Sequence, residues 1–277
     1  MMNARLFIGV VLLRFFCAGF AAAAPPQSHS QGMVFIPNGA YLAFFINAVV
    51  KTPKVPKGNE SVLRTPVAVR SFWMDRYPVT RAEFLRFVVA NPKWRRSRVT
   101  PLFADDHYLE DWKSDFLLNK RAGDDSRAPV TQVSWFAAHA YCEAQGKELP
   151  IIDQWEYVAG DLGRNKAAAS GSALAWYSKP NAKRIASVDS APVNGFGVHG
   201  LIGLVWEWTL DFNSATVGDE SREGGASDGN LFCGNGSQGA LDSTDYASFM
   251  RYSLRNSLKA NYTTKNLGFR CVKEIDP

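Results

Sequence analysis

Cysteine and histidine are scarce in this chain, four of each in 277 residues, and that scarcity limits the metal chemistry open to it. Beyond the N-terminal tail the histidines are His107, His139 and His199, with no His-x-x-x-His spacing among them. His199, alone beside Gly200, fits a structural role better than a ligand. Long apolar runs are also missing. The one candidate, Leu6 to Leu13, is broken by Arg14 and is too short to span a bilayer. No repeat, low-complexity linker or heptad pattern is present, which excludes solenoids and coiled coils. Charge of one sign is not in great excess. The formal net charge is +5, and the only basic cluster, Lys93-Trp94-Arg95-Arg96-Ser97-Arg98, reads as a solvated loop. Nucleic acid is therefore not expected as a partner.

Residues 1–24 have the pattern of a secretory signal: Arg5, then the apolar run, then the small residues Ala21 to Ala24. Its removal takes away Arg5 and Arg14, lowering the net charge from +5 to +3. The expected location is periplasmic or secreted, with no membrane attachment after processing. Residues 25–32 read as a mobile polar linker. The remaining 33–275 read as one domain, since about 250 residues suffice for a substantial core.

Regular elements are few. Thr80 can cap a helix, with Glu83 three residues on completing a capping box. Phe84, Phe87 and Val88 then share one face, and Asn91-Pro92 stops the run. A second helix is predicted from an N-cap at Ser134 through Cys142, ended by Gly146. A third, shorter one covers Asp153 to Ala159. The rest reads as short strands and loops rich in Gly, Asn and Ser.

Export makes a disulfide expected, and processing leaves three cysteines: Cys142, Cys233 and Cys271. Spacing does not choose the pair. The stretch Gly203-Leu204-Val205-Trp206-Glu207-Trp208 is the most unusual in the chain. A carboxylate between two tryptophans either faces water on an edge strand or is buried and must be paired or bound to a metal.

That stretch belongs to an ordered series. It includes Met33-Val34-Phe35-Ile36-Pro37-Asn38-Gly39, Phe72 to Thr80, and Pro129-Val130-Thr131-Gln132-Val133-Ser134-Trp135. Ala140-Tyr141-Cys142, Gly146 to Pro150, Trp155-Glu156-Tyr157 and Asn266-Leu267-Gly268-Phe269-Arg270-Cys271 complete it. Together these blocks resemble the formylglycine-generating enzyme family, also called the sulfatase-modifying factor family, from about Met33 to Cys271. The resemblance implies an α+β, loop-rich fold of the C-type-lectin-like kind. It implies a bridge Cys142–Cys271, worth ~4 kcal/mol by chain entropy. Cys233 is then left as either a buried inert thiol or a reactive one.

Copper-dependent members hold the metal on two cysteines shortly before an Arg-x-x-x-Arg run, present here as Arg251-Tyr252-Ser253-Leu254-Arg255. Counting back, those cysteine positions fall on Asp242 and Ala247. Soft Cu(I) wants soft sulfur, so copper and formylglycine formation are not expected. The histidine triad of the iron-dependent relatives is not matched either. A calcium site is expected instead, with a side-chain oxygen from Glu207 and backbone carbonyls from Gly203 and Val205, although the ligand at Gly200 is lost. Trp206, the Cys233 loop and Asp242 to Arg255 should line one surface groove, with Tyr246, Tyr252 and Tyr262 as aromatic walls and Arg251 and Arg255 as donors, or as partners of Asp242 or Asp245. Two functions follow from the resemblance. One is oxidative maturation of a peptide-derived substrate, as in the pyoverdine-chromophore branch. The other is a non-catalytic accessory to a periplasmic partner protein, as in the branch accompanying copper nitrite reductase.

Overall fold

In chain order the regular elements are β1 (Met33–Ile36), β2 (Gly39–Tyr41), β3 (Val67–Val69), β4 (Phe72–Asp75), α1 (Arg81–Ala90), α2 (Trp135–Ala144), α3 (Ile152–Ala159) and α4 (Lys166–Tyr177). They continue with β5 (Trp206–Glu207), α5 (Tyr246–Ser257), β6 (Leu267–Gly268) and β7 (Val272–Glu274). The computed structural model describes residues 32–43, 66–118, 126–161, 166–179, 184–213 and 246–275. The signal segment lies outside them, as does most of the linker.

Strand β4 is the centre of a three-stranded antiparallel sheet, flanked by β1 and β7. Its alternation is strict: Phe72 and Met74 point into the core while Trp73 and Asp75 are half-buried. Strands β2 and β3 make a second antiparallel pair, and β5 and β6 a short parallel one. The fold is α+β with short elements.

Helix α1 starts as its sequence predicts. Thr80 Oγ1 accepts from the Glu83 N–H at 3.3 Å, and the Glu83 carboxylate accepts from the Thr80 N–H at 2.8 Å. Phe84, Phe87 and Val88 are buried, and Phe84 meets Trp112, Tyr141 and Phe269 edge-on or stacked. Burying one such phenyl ring contributes roughly 1.5–3 kcal/mol. Helix α2 is capped by Ser134, whose Oγ accepts from Ala137 N–H, and the chain leaves it through Gly146 at φ +64°. The expected third helix is α3. Helices α4 and α5 correct the expectation that only short strands and loops follow it.

Two core clusters result. One gathers α1, α2, Trp112, Trp208 and Phe269; the other places Trp155 and Tyr157 of α3 beneath the sheet. A disulfide joins Cys142 in α2 to Cys271, with Cα atoms 5.6 Å apart. Among the described residues no helix is long and apolar enough to cross a membrane.

Candidate functional site

Glu207 sits in β5, directly opposite Gly268 in the parallel register with β6. A side chain at 268 could not be accommodated, because a Cβ would lie 2.6 Å from the Val130 carbonyl oxygen. This close approach brings Arg270, fully buried, onto Glu207. Arg270 Nε donates to one carboxylate oxygen and Nη2 to the other, each at 2.8 Å. Nη2 also donates to the His199 carbonyl at 2.7 Å, and Nη1 to that of Asp75 at 3.1 Å. The Trp155 indole N–H adds a third bond to Glu207 at 2.8 Å. Glu207 is thus neither solvated nor held by backbone N–H groups.

The indole of Trp155 carries a second guanidinium. Arg251 lies 3.5 Å from the ring centroid, close enough for a desolvated cation–π contact. Its Nε is 3.8 Å from a Glu156 oxygen, an ion-pair distance too long for a hydrogen bond. Nε and Nη2 of Arg251, and Nε of Arg255 one turn on, are buried and have no hydrogen-bond acceptor among the described residues. Burial lowers the Arg251 pKa to about 10; Arg255 pushes the same way, and Glu156, Tyr177 and Glu207 oppose it. The group stays charged at neutral pH. Burial also lowers Arg255, against Glu156 and Asp211.

Acidic groups ring this pair. The Tyr41 hydroxyl faces Asp153 at 2.8 Å and Glu156 at 3.4 Å, and its pKa is raised by burial and then by those two carboxylates. Burial raises Asp211 as well, against the hydrogen bond it accepts from the Ile152 N–H at 2.9 Å.

Trp206 contributes aromatic surface. It stacks on Tyr177, centroids 5.0 Å apart and planes 18° apart, and leans on Trp176 at 5.0 Å. Tyr177 then links it to a small recess of about 20 Å³ between α4 and α5, lined by Trp155, Ile202, Ala247, Arg251 and small residues of α4. A larger cleft of about 560 Å³ also lies against α4, with Asp161, Trp176, Lys179 and Asn194 on its walls.

Of the residues singled out by sequence, Trp206, Arg251 and Arg255 come into one region. Arg251 is buried, not at the surface of a groove. Tyr252 is buried, Tyr246 is half in solvent, and Tyr262 lies under the Lys259 ammonium at 5.7 Å. Cys233, Asp242 and Asp245 fall outside the described residues. Sequence reasoning missed Trp155, Tyr177 and Arg270 as site residues. Trp155 and Arg270 sat within the quoted blocks, but nothing local announced their partners.

Both oxygens of Glu207 accept from the Arg270 cation, so a calcium ion drawing on Glu207 and the carbonyls of Gly203 and Val205 would share the carboxylate with that buried charge. Ala247, one of the two positions where the family resemblance places a copper cysteine, is a buried methyl.

A profile described as Sulfatase-modifying factor enzyme 1-like domain matches residues 20–275. The chain belongs to that family. It is 28% identical over 298 residues to the formylglycine-generating enzyme of Streptomyces coelicolor, covering 92% of each. It is also 28% identical to the mouse enzyme, over 81% of this chain and 72% of that one. The bovine protein named inactive C-alpha-formylglycine-generating enzyme 2 is 28% identical, over 74% and 78%. Among solved structures, PvdO from Pseudomonas aeruginosa and the protein CarF each align with a TM-score of 0.47 and 16% identity. They cover 88% of this chain and 94% and 98% of theirs.

Proposed function

We propose that this chain is a copper-independent, exported member of the sulfatase-modifying factor family. In this reading it binds a peptide-derived aromatic ligand at the recess between α4 and α5. The observation that carries the reading is Ala247. It is buried in that recess at the position where the family resemblance puts a copper cysteine, and its neighbours are Trp155, Tyr177 and Arg251. A methyl donates nothing to Cu(I), whereas aromatic walls and a guanidinium suit an aromatic ligand with an acceptor group. The finer reading is oxidative maturation of that ligand.

A second reading is a non-catalytic accessory. The similarity to a bovine relative named inactive favours it. Cys233→Ser separates the two, because an accessory tolerates the change and an enzyme using the thiolate does not.

The copper-free reading is tested by competing purified mature protein against the Cu(I) chelator bathocuproine disulfonate. We expect the chelator to keep the metal. Stoichiometric Cu(I) retained by the protein would overturn the reading.

A further inference from the structure

Arg270 and Arg251 carry the same edge, Nε beside Nη2, and only one of the two is used. Arg270 sets both N–H groups on the two oxygens of a carboxylate. The matching pair on Arg251, in a residue only 6% exposed, has no hydrogen-bond acceptor among the described residues. A buried cationic N–H without an acceptor is costly, and this edge of a guanidinium matches a carboxylate in spacing and charge. Glu156 does not fill the place: one of its oxygens stops 3.8 Å from Nε, and the other faces the Tyr41 hydroxyl. The stack on Trp155, itself held by Glu207, fixes the plane of the guanidinium before any ligand arrives. Arg255, four residues on and on the same side of α5, adds positive charge and a further buried N–H lacking an acceptor among the described residues. The recess that Arg251 lines has space for a group of one or two oxygens and no more, at about 20 Å³.

We infer that Arg251 anchors the carboxylate of an aromatic carboxylic acid, bound bidentately on its Nε–Nη2 edge, with the ligand's ring lying outside the recess along Tyr177 and Trp206. This deepens the reading above, because it rests on the same recess being the ligand site. The amide of the same ligand offers one acceptor and no charge, and so loses most of the interaction.

The test compares N-acetyl-L-tyrosine with N-acetyl-L-tyrosinamide by isothermal titration calorimetry on the mature protein. The acid is expected to bind at least tenfold more tightly. Arg251→Gln should bring the acid down to the level of the amide and leave the amide unchanged. Ala247→Leu fills the recess while keeping both arginines and should abolish the acid's advantage, with near-UV circular dichroism reporting an intact fold. Equal affinity for acid and amide, no binding of the acid, or an acid preference surviving in both folded variants would overturn the assignment. Equal affinity removes only the carboxylate and leaves an aromatic ligand site standing. The copper-free reading is decided separately, by the chelator competition.

Discussion

Two buried arginines share one tryptophan's neighbourhood and differ in what they lack. Arg270 has four hydrogen bonds, two of them to Glu207, and ties β5, β6, β4 and the His199 loop together. Arg251 faces Trp155 and Glu156, and among the described residues its Nε and Nη2 make no hydrogen bond. A buried charge that is fully bonded is part of the fold. One that keeps an open edge is a cost the fold carries for another purpose. The contrast predicts unequal outcomes for the same kind of mutation.

Arg270→Met should be the most damaging. It strands the Glu207 carboxylate in the core, and breaking such a pair costs about 3–5 kcal/mol. Arg251→Met takes from Glu156 an ion partner at 3.8 Å but no hydrogen bond from Nε, and keeps apolar contact with Trp155, so it should cost clearly less, about 1–2 kcal/mol. Urea unfolding of the two variants measures both. Losses of equal size would erase the distinction.

The disulfide belongs to the Arg270 side, since Cys271 is the next residue. Replacing Cys142 and Cys271 together by alanine should cost about 2–4 kcal/mol in the same assay. The acid-over-amide preference should persist in the folded fraction. Thr80→Ala acts far from both arginines: losing the capping box should cost ~1 kcal/mol and leave ligand preference untouched.

How much of this was legible in the sequence depends on whether a feature is local. The caps at Thr80 and Ser134 are written within four residues and appear where expected. Helix α4, by contrast, is rich in Ala and Ser and includes Gly171, with no apolar stripe to give it away. Helix α5 turns Arg251 inward, so its pattern runs against the rule that apolar residues mark the buried face. The four-residue spacing of Arg251 and Arg255 was visible as a motif yet is also one helical turn. The Glu207–Arg270 pair spans 63 positions and depends on the β5–β6 register and on the glycine at 268. Nothing in Gly203 to Trp208 alone could choose between an arginine and a calcium ion as partner. The burial of Ala247 beside Arg251 likewise emerges only when α5 packs on α4.

The smallest expected effect concerns pH. Burial raises the Asp211 pKa above its unfolded value, so the folded state holds its proton more tightly. Stability therefore falls as pH climbs from the ordinary carboxylate range up to the raised pKa, and is flat above it. Asp211→Asn keeps an oxygen for the Ile152 N–H and should flatten that slope, giving a small gain at neutral pH. Urea midpoints between pH 4 and pH 7 report it; an unchanged slope would assign the pH dependence to other groups, such as Asp75, which burial also raises.

The most direct measurement follows the arginine Nε–H resonances of ¹⁵N-labelled protein, assigned through Arg251→Gln. Arg270 should show a slowly exchanging Nε–H that N-acetyl-L-tyrosine leaves in place. Arg251 should exchange faster and shift when the acid is added but not the amide. Two equally protected resonances, both indifferent to the acid, would contradict the account.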